Sequence, residues 1–340
     1  MSALLEPAAR PRAQNRRPRV GFLGVGWIGR HRMEAMLQAD AIEAAAVADP
    51  SAEMSAAARA LAPGAELAGG LDDLLGMDLD GLVIATPSAL HAEQAVAALE
   101  RGVAVFCQKP LGRSAAEARA VVEAARKADS LLSVDLSYRF TDGARRIREL
   151  VRGGELGHVF AADLVFHNAY GPDKPWFYDA ALSGGGCVMD LGVHLVDLAL
   201  WMLDFPEVER VESTLLATGA PLAPGAVEDY AVASLTLAGG ASVRLACSWR
   251  LPAGCEAEIS AAFYGRSGGA ALRNVDGSFY DFAADRFSGC TRERLASPPD
   301  AWGGRAAQDW ARRLSAGARF DPAAERLVDV ARVLDRIYGR

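Results

Sequence analysis

The sequence predicts an α/β protein: an N-terminal domain on a doubly wound parallel sheet, then a C-terminal α+β domain with a large open, mostly antiparallel sheet. Three observations predict it. The 340 residues exceed one ordinary core and suit two domains. From Val20 to about Asp135, short wholly apolar runs alternate with Ala-rich stretches of helical period. Strands with no polar face belong in a sheet covered on both sides by helices. After Thr141 long β-rich runs follow one another across glycine-containing connectors, the pattern of hairpins. The expected division is a flexible tail over 1–18, a first domain over 19–138, a second over 139–320 and a C-terminal helix over 321–340 that packs back on the first.

In order, Val20–Leu23 reads as a strand, Trp27–Gln38 as a helix, Ile42–Ala48 as a strand and Ser51–Leu61 as a helix. Gly81–Ala85, Val103–Phe106 and Leu131–Val134 read as further strands, with helices over Ala89–Arg101 and Ser114–Ala128 between them. Ser114 and Glu117 make a capping-box signature. A helix from about Thr141 runs to Val151 and stops at Gly153-Gly154. Strands are expected over His158–His167, Val208–Thr218, Val227–Ala238, Ala241–Leu251, Glu256–Tyr264 and Gly269–Val275. Ala238-Gly239-Gly240 and Arg266-Ser267-Gly268 are the tight connectors. One apolar helix, Val188–Leu203, interrupts the strands, and helices over Trp302–Ala316 and Pro322–Tyr338 close the chain.

Composition excludes several classes of function. With 36 basic against 43 acidic side chains and a net charge of −7, the chain lacks the basic surplus of a nucleic-acid binder. The five cysteines are scattered, and the five histidines form no His-x-x-x-His or Cys/His cluster, so neither a disulfide framework nor a metal site is expected. No run approaches the ~20 uninterrupted apolar residues of a membrane helix. The N-terminus turns from apolar to basic, the reverse of a signal peptide, and a cytoplasmic location is expected. Only three lysines occur, Lys109, Lys127 and Lys174, which draws attention to any lysine at a strand exit.

Gly24-Val25-Gly26-Trp27-Ile28-Gly29 follows the first strand and opens the first helix. The first glycine permits the tight turn, the second lets a pyrophosphate approach the backbone, and the third allows close helix–strand contact. The helix start then presents N–H groups to the phosphates. Asp49 ends the second strand 20 residues after Gly29, the placement of an acid that accepts hydrogen bonds from a ribose. Its charge repels a 2′-phosphate, which favours NAD, while Arg30 and Arg59 keep NADP open.

Three further segments carry candidate chemistry. Ala85-Thr86-Pro87-Ser88 with His91 lies past a buried strand, where doubly wound sheets bind ligands; Ser88 also reads as the N-cap of the next helix. Cys107-Gln108-Lys109-Pro110 places a lysine at the next strand exit, suited to polarising a substrate oxygen, and its Lys109–Pro110 step is a candidate cis bond. Gly184-Gly185-Gly186 precedes a helix on which Asp190, His194 and Asp197 fall at i, i+4 and i+7, one stripe of an otherwise apolar surface. Such a stripe is either a histidine held by two aspartates or a proton-transfer site.

Taken in order, these motifs resemble the glucose–fructose oxidoreductase/inositol dehydrogenase/rhizopine-catabolism family of dinucleotide-dependent oxidoreductases. The resemblance runs from about Val20 to the C-terminus. It implies a Rossmann domain followed by an open-sheet domain used for homodimer or homotetramer contacts. It also implies sugars, inositols or related polyhydroxylated compounds as substrates, and Lys109, Asp190 and His194 as the catalytic group. Gly24, Gly26, Trp27, Ile28, Gly29, Asp49, Thr86, Pro87, Ser88, His91, Gln108 and Lys109 are then the expected coenzyme contacts, with Tyr138, Arg139 and Trp176 lining the substrate pocket. Two departures stand out: Gln108-Lys109-Pro110 replaces the family's usual Glu-Lys-Pro, and Trp176-Phe177-Tyr178 replaces a frequent Trp-Arg.

The expected reaction is reversible hydride transfer between the nicotinamide of NAD and a substrate carbinol carbon. His194 exchanges the hydroxyl proton, Lys109 steadies the oxygen, and Asp190 orients. An NADPH-linked reductase of a keto-sugar or imine, and a non-catalytic dinucleotide sensor suggested by Gln108, are the alternatives.

Overall fold

The computed structural model describes residues 16–340, so residues 1–15 of the expected tail lie outside the described residues. The first part runs β1 (Arg19–Leu23), α1 (Trp27–Gln38), β2 (Glu43–Ala48), α2 (Ala52–Leu61), β3 (Glu66–Leu67), α3 (Leu71–Gly76), β4 (Gly81–Ile84), α4 (Ser88–Glu100), β5 (Ala104–Cys107), α5 (Ala115–Lys127) and β6 (Leu132–Val134). The six strands are parallel in the order β3-β2-β1-β4-β5-β6. Strand order reverses between β1 and β4, which opens a crevice at their carboxyl ends. Alternate residues of one strand enter opposite layers: Leu82 and Ile84 meet one helix layer, Val83 the other. The purely apolar strands are thus explained by helices on both faces. The sequence does not predict β3 and α3, which are too short and polar to carry a periodic signal.

The second part contains α6 (Asp142–Arg152), β7 (Val159–Asn168), α7 (Ala180–Ser183), α8 (Val193–Met202), β8 (Val208–Ala217), β9 (Ala220–Pro221), β10 (Tyr230–Leu237), β11 (Ser242–Ser248), β12 (Ala257–Gly265), β13 (Gly269–Asn274), β14 (Phe282–Ser288) and β15 (Thr291–Ala296). Nine strands form one sheet, β15-β14-β13-β12-β7-β11-β10-β8-β9, antiparallel except where β7 lies beside β11. The two expected hairpin connectors join β10 to β11 and β12 to β13. Unpredicted β15 is an edge strand, Thr-Arg-Glu-Arg-Leu-Ala, with no apolar alternation to betray it.

One domain expectation needs correction. Helix α9 (Arg305–Ser315), placed by sequence in the second domain, docks on the first sheet. Trp310 is fully buried with its ring 5.9 Å from that of Phe106, and Ala307, Ala311 and Leu314 share the same core. Burial of this apolar face against β5 and α1 outweighs its position late in the chain. The final helix, α10 (Arg326–Ile337), touches α5 but also α8 and β8, so it bridges both sheets. The run Ala180–Met202 is long and apolar enough to cross a membrane, yet it is a core helix, buried inside the protein.

Candidate active site

The glycine turn is built for an anionic ligand. Gly24 sits at φ +81, where a Cβ would stand 2.6 Å from the Ala85 carbonyl oxygen, and a Cβ on Gly29 would stand 2.1 Å from that of Gly24. Gly26, by contrast, faces open space, with nothing within 4 Å of a Cβ, which leaves the backbone approachable beside the N–H groups that open α1. Asp49 Oδ2 accepts from Val25 N at 2.8 Å and Oδ1 from Ser51 N at 2.9 Å. The acid is thereby fixed at the edge of the turn with lone pairs to spare. Trp27 is 55% exposed and packs on His31, while Ile28 is half-buried. These residues fit a dinucleotide pyrophosphate and ribose.

At the exits of β4 and β5 the structure revises two expectations. Ser88 is the first residue of α4, with Pro87 at the N-cap position and no side-chain cap, because proline's fixed φ suits the approach to the helix. His91 is 1% exposed, with Nδ1 2.7 Å from the Pro110 carbonyl and Nε2 2.7 Å from that of Thr86. Both nitrogens face backbone carbonyls, a neutral ring donating to one of them, so His91 packs between the two turns instead of touching a coenzyme. Burial holds its pKa below the ordinary value. Thr86 donates from Oγ1 to Gln94 Oε1 at 2.6 Å. The Lys109–Pro110 bond is cis. Gln108 is buried, and its amide donates to Asp135 Oδ2 at 2.6 Å.

Lys109 crosses to the second part of the chain. Its Nζ donates to both Asp190 Oδ1 and the Asp190 carbonyl, each at 2.7 Å. Trp249 Nε1 donates to Asp190 Oδ2 at 3.1 Å. Asp190 lies in a π-helical turn, Val188–Gly192, that leads into α8. Its start is held by Glu228, fully buried, which accepts from Val188 N at 2.8 Å, from Gly186 N and from the Tyr338 hydroxyl at 2.8 Å. A Cβ on Gly186 would stand 1.9 Å from the Glu228 carbonyl oxygen and one on Gly185 2.0 Å from the Tyr338 hydroxyl, so these two glycines serve the close approach of Glu228 and Tyr338. Burial raises the Glu228 pKa.

His194 stands on α8, 7% exposed, edge-on to the Tyr138 ring at 4.8 Å. Burial, then the charges of Lys109 and Arg32, push its pKa well below the usual histidine range. It is a neutral base at neutral pH. The expected aspartate–histidine stripe is corrected: among the described residues neither aspartate bonds the ring. Asp190 is taken by Lys109, and Asp197, 2% exposed, by Arg139, whose Nε donates to Asp197 Oδ2 at 2.8 Å. A forked guanidinium satisfies a buried carboxylate better than an imidazole does. Arg139, with its guanidinium against Trp201 and Phe205, is therefore a structural cation and not a pocket contact. Tyr138 is buried among Phe166, Phe282 and Trp302, which raises its pKa. Trp176 stacks on Phe177, which meets Trp249 edge-on, so it reaches Asp190 only through those rings.

Sequence reasoning missed Trp249, Glu228, Arg32 and Asp135. Asp135 carried the one available signal, since, like Asp49, it is an acid directly after an apolar strand.

A six-stranded sheet of this order, with a glycine turn at its switch point, is a dinucleotide-binding architecture. Comparison with known proteins agrees. Residues 18–136 match the oxidoreductase family with an NAD-binding Rossmann fold, and residues 144–271 match the GFO/IDH/MocA C-terminal domain. A protein of Amycolatopsis mediterranei, named for the oxidoreductase subunit of a UDP-kanosamine synthase, is 34% identical over 68% of this chain and 68% of its own. D-glucoside 3-dehydrogenase of Escherichia coli is 33% identical over 41% of this chain and 40% of its own. The chain spans about half the length of the first curated relatives it matches, from 40% to 59%. A structure of levoglucosan dehydrogenase with NADH and levoglucosan superposes with a TM-score of 0.81 at 20% identity, over 95% of this chain and 97% of that one. The chain belongs to the Gfo/Idh/MocA family of NAD-binding oxidoreductases.

Two expectations follow from the charges. His91, His167 and His194 all sit below the ordinary histidine pKa, with burial as the main cause. The unfolded chain therefore gains protons that the folded chain refuses as the pH falls through about 6.5. Thermal unfolding midpoints should drop from about pH 7.5 to about pH 5.5, and His194→Gln should lessen the drop. Arg139→Ala should cost about 3 kcal/mol in denaturant unfolding by stranding Asp197, while ligand affinity stays unchanged. A substrate-contact role would give the opposite pair of results.

Proposed function

We propose that this chain is an NAD-dependent dehydrogenase that moves a hydride between the nicotinamide and a carbinol or carbonyl carbon of a sugar, inositol or related polyhydroxylated compound. The observation that carries the reading is the contact of Lys109, at the carboxyl end of β5, with Asp190 in the turn that leads into α8, the helix that carries His194. The coenzyme supplies the hydride acceptor; the residues supply everything that concerns the oxygen. His194 takes the hydroxyl proton during oxidation, and its lowered pKa keeps the ring ready to accept at neutral pH. Lys109 offers a fixed cation to the oxygen as negative charge gathers there. Asp190, braced by Trp249, holds the lysine in place.

Aromatic rings lead outward from the Asp190 side of this group. Trp249, Tyr178, Phe177 and Trp176 continue from Asp190, while Tyr138 and Trp302 back His194 from the core. Rings around a few convergent polar groups suit the apolar faces of a sugar ring, whose hydroxyls then meet the polar centre. NAD is favoured over NADP because the Asp49 carboxylate is bonded by backbone N–H groups, with no cation paired to it among the described residues. The sensor reading rested on the uncharged Gln108, and a carboxylate stands 2.6 Å from its amide. A homodimer or homotetramer through the uncovered face of the nine-stranded sheet, in the cytoplasm, completes the reading; Phe160 on β7 is 49% exposed.

The test is a panel of sugars, inositols and sugar acids with NAD and NADP, read by nicotinamide absorbance. Turnover with a neutral polyol and NAD is expected, and Lys109→Ala or His194→Ala should lower kcat by about 10²–10⁴-fold with the fold intact. A His194→Ala enzyme of near-native turnover refutes the assignment.

A further inference from the structure

We propose that Asp135 is a positioning residue for the nicotinamide end of the site: its buried carboxylate holds Arg32 and Gln108 in place and supplies the negative charge that favours the oxidised, cationic coenzyme over the reduced one. The inference rests on the dehydrogenase reading for where the nicotinamide lies, and its test is read without turnover.

Asp135 follows β6 and is 1% exposed. Its Oδ2 accepts from Arg32 Nε at 2.5 Å and from Gln108 Nε2 at 2.6 Å, while its own N–H donates to the Cys107 carbonyl at 2.9 Å. Arg32 comes from α1, the helix that opens at the glycine turn, and Gln108 is the neighbour of Lys109. Elements on two sides of the crevice therefore meet on one carboxylate oxygen. The other oxygen, Oδ1, is buried without a hydrogen-bond partner.

The charges around the site give this carboxylate its role. Lys109 is paired with Asp190, Arg139 with Asp197 and Arg32 with Asp135. Of these cations, Lys109 and Arg32 act on His194. Removing the Asp135 carboxylate would leave Arg32 without its ion-pair partner and add one uncompensated positive charge to the end of the site. Gln108 fits the same logic. An amide donates to Asp135, whereas a glutamate there would set two carboxylates against each other.

Affinities of NAD and NADH are to be measured by calorimetry for the wild type, Asp135→Asn and the double variant Gln108→Glu/Asp135→Asn. The double variant reverses donor and acceptor but keeps one buried negative charge beside Arg32. At an effective dielectric of about 20, loss of one buried charge in Asp135→Asn should raise the ratio Kd(NAD)/Kd(NADH) roughly tenfold, and the double variant should return it to within about threefold of wild type. An unchanged ratio in Asp135→Asn overturns the proposal. So does equal weakening of both coenzymes with no recovery in the double variant, the mark of a packing role. Should Asp135→Asn fail to fold, the double variant decides alone: a near-native ratio sustains the proposal and a raised one overturns it. A wild-type protein that binds both coenzymes but turns over no panel compound refutes the dehydrogenase reading instead, and with the ratio still in hand the two failures stay distinct.

Discussion

The bridge from Lys109 to Asp190 is the interaction on which the rest of the site depends. The lysine leaves the first sheet at the end of β5, and the aspartate stands in the π turn before α8, so the contact joins two separately built halves of the chain. It is partly buried, with side chains 20% and 15% exposed, where an ion pair is worth more than on the surface but must also repay desolvation. Two acceptors on one residue, plus Trp249 on the far oxygen, meet that requirement. Glu228 and Tyr338 fix the start of the turn, so α10 also bears on where Asp190 stands.

One consequence concerns the imidazole. Asp135, Asp190 and Asp197 are each paired with a cation, and His194 is left among rings and positive charges. A histidine clasped by aspartates would have its pKa raised; burial and the charges of Lys109 and Arg32 lower this one. The arrangement favours a base that acts at neutral pH, and it follows from partner choice around the helix and not from histidine chemistry alone.

The first sheet and its ligand edge were legible in the sequence because three signals agree there: apolar strands, helix periodicity and a glycine turn whose spacing from Asp49 is set by backbone geometry. The partners of Asp190 and Asp197 were not legible. Helical spacing places side chains on one stripe but does not say which distant cation folds onto them, and Arg139 and Lys109 lie 58 and 81 residues away. Asp135 and Arg32, 103 residues apart, were hidden for the same reason. Helix α9 misled the domain division because an amphipathic helix carries no mark of which sheet it will cover, and β15 was silent because an edge strand needs no apolar face.

The central claim is that one amine and one imidazole act on the same oxygen. A crystal structure with NADH and a bound polyol tests it most directly. The account predicts a single substrate oxygen within about 3.2 Å of both Lys109 Nζ and a ring nitrogen of His194. Separate oxygens bound by the two groups, or an imidazole turned away from the ligand, would contradict it.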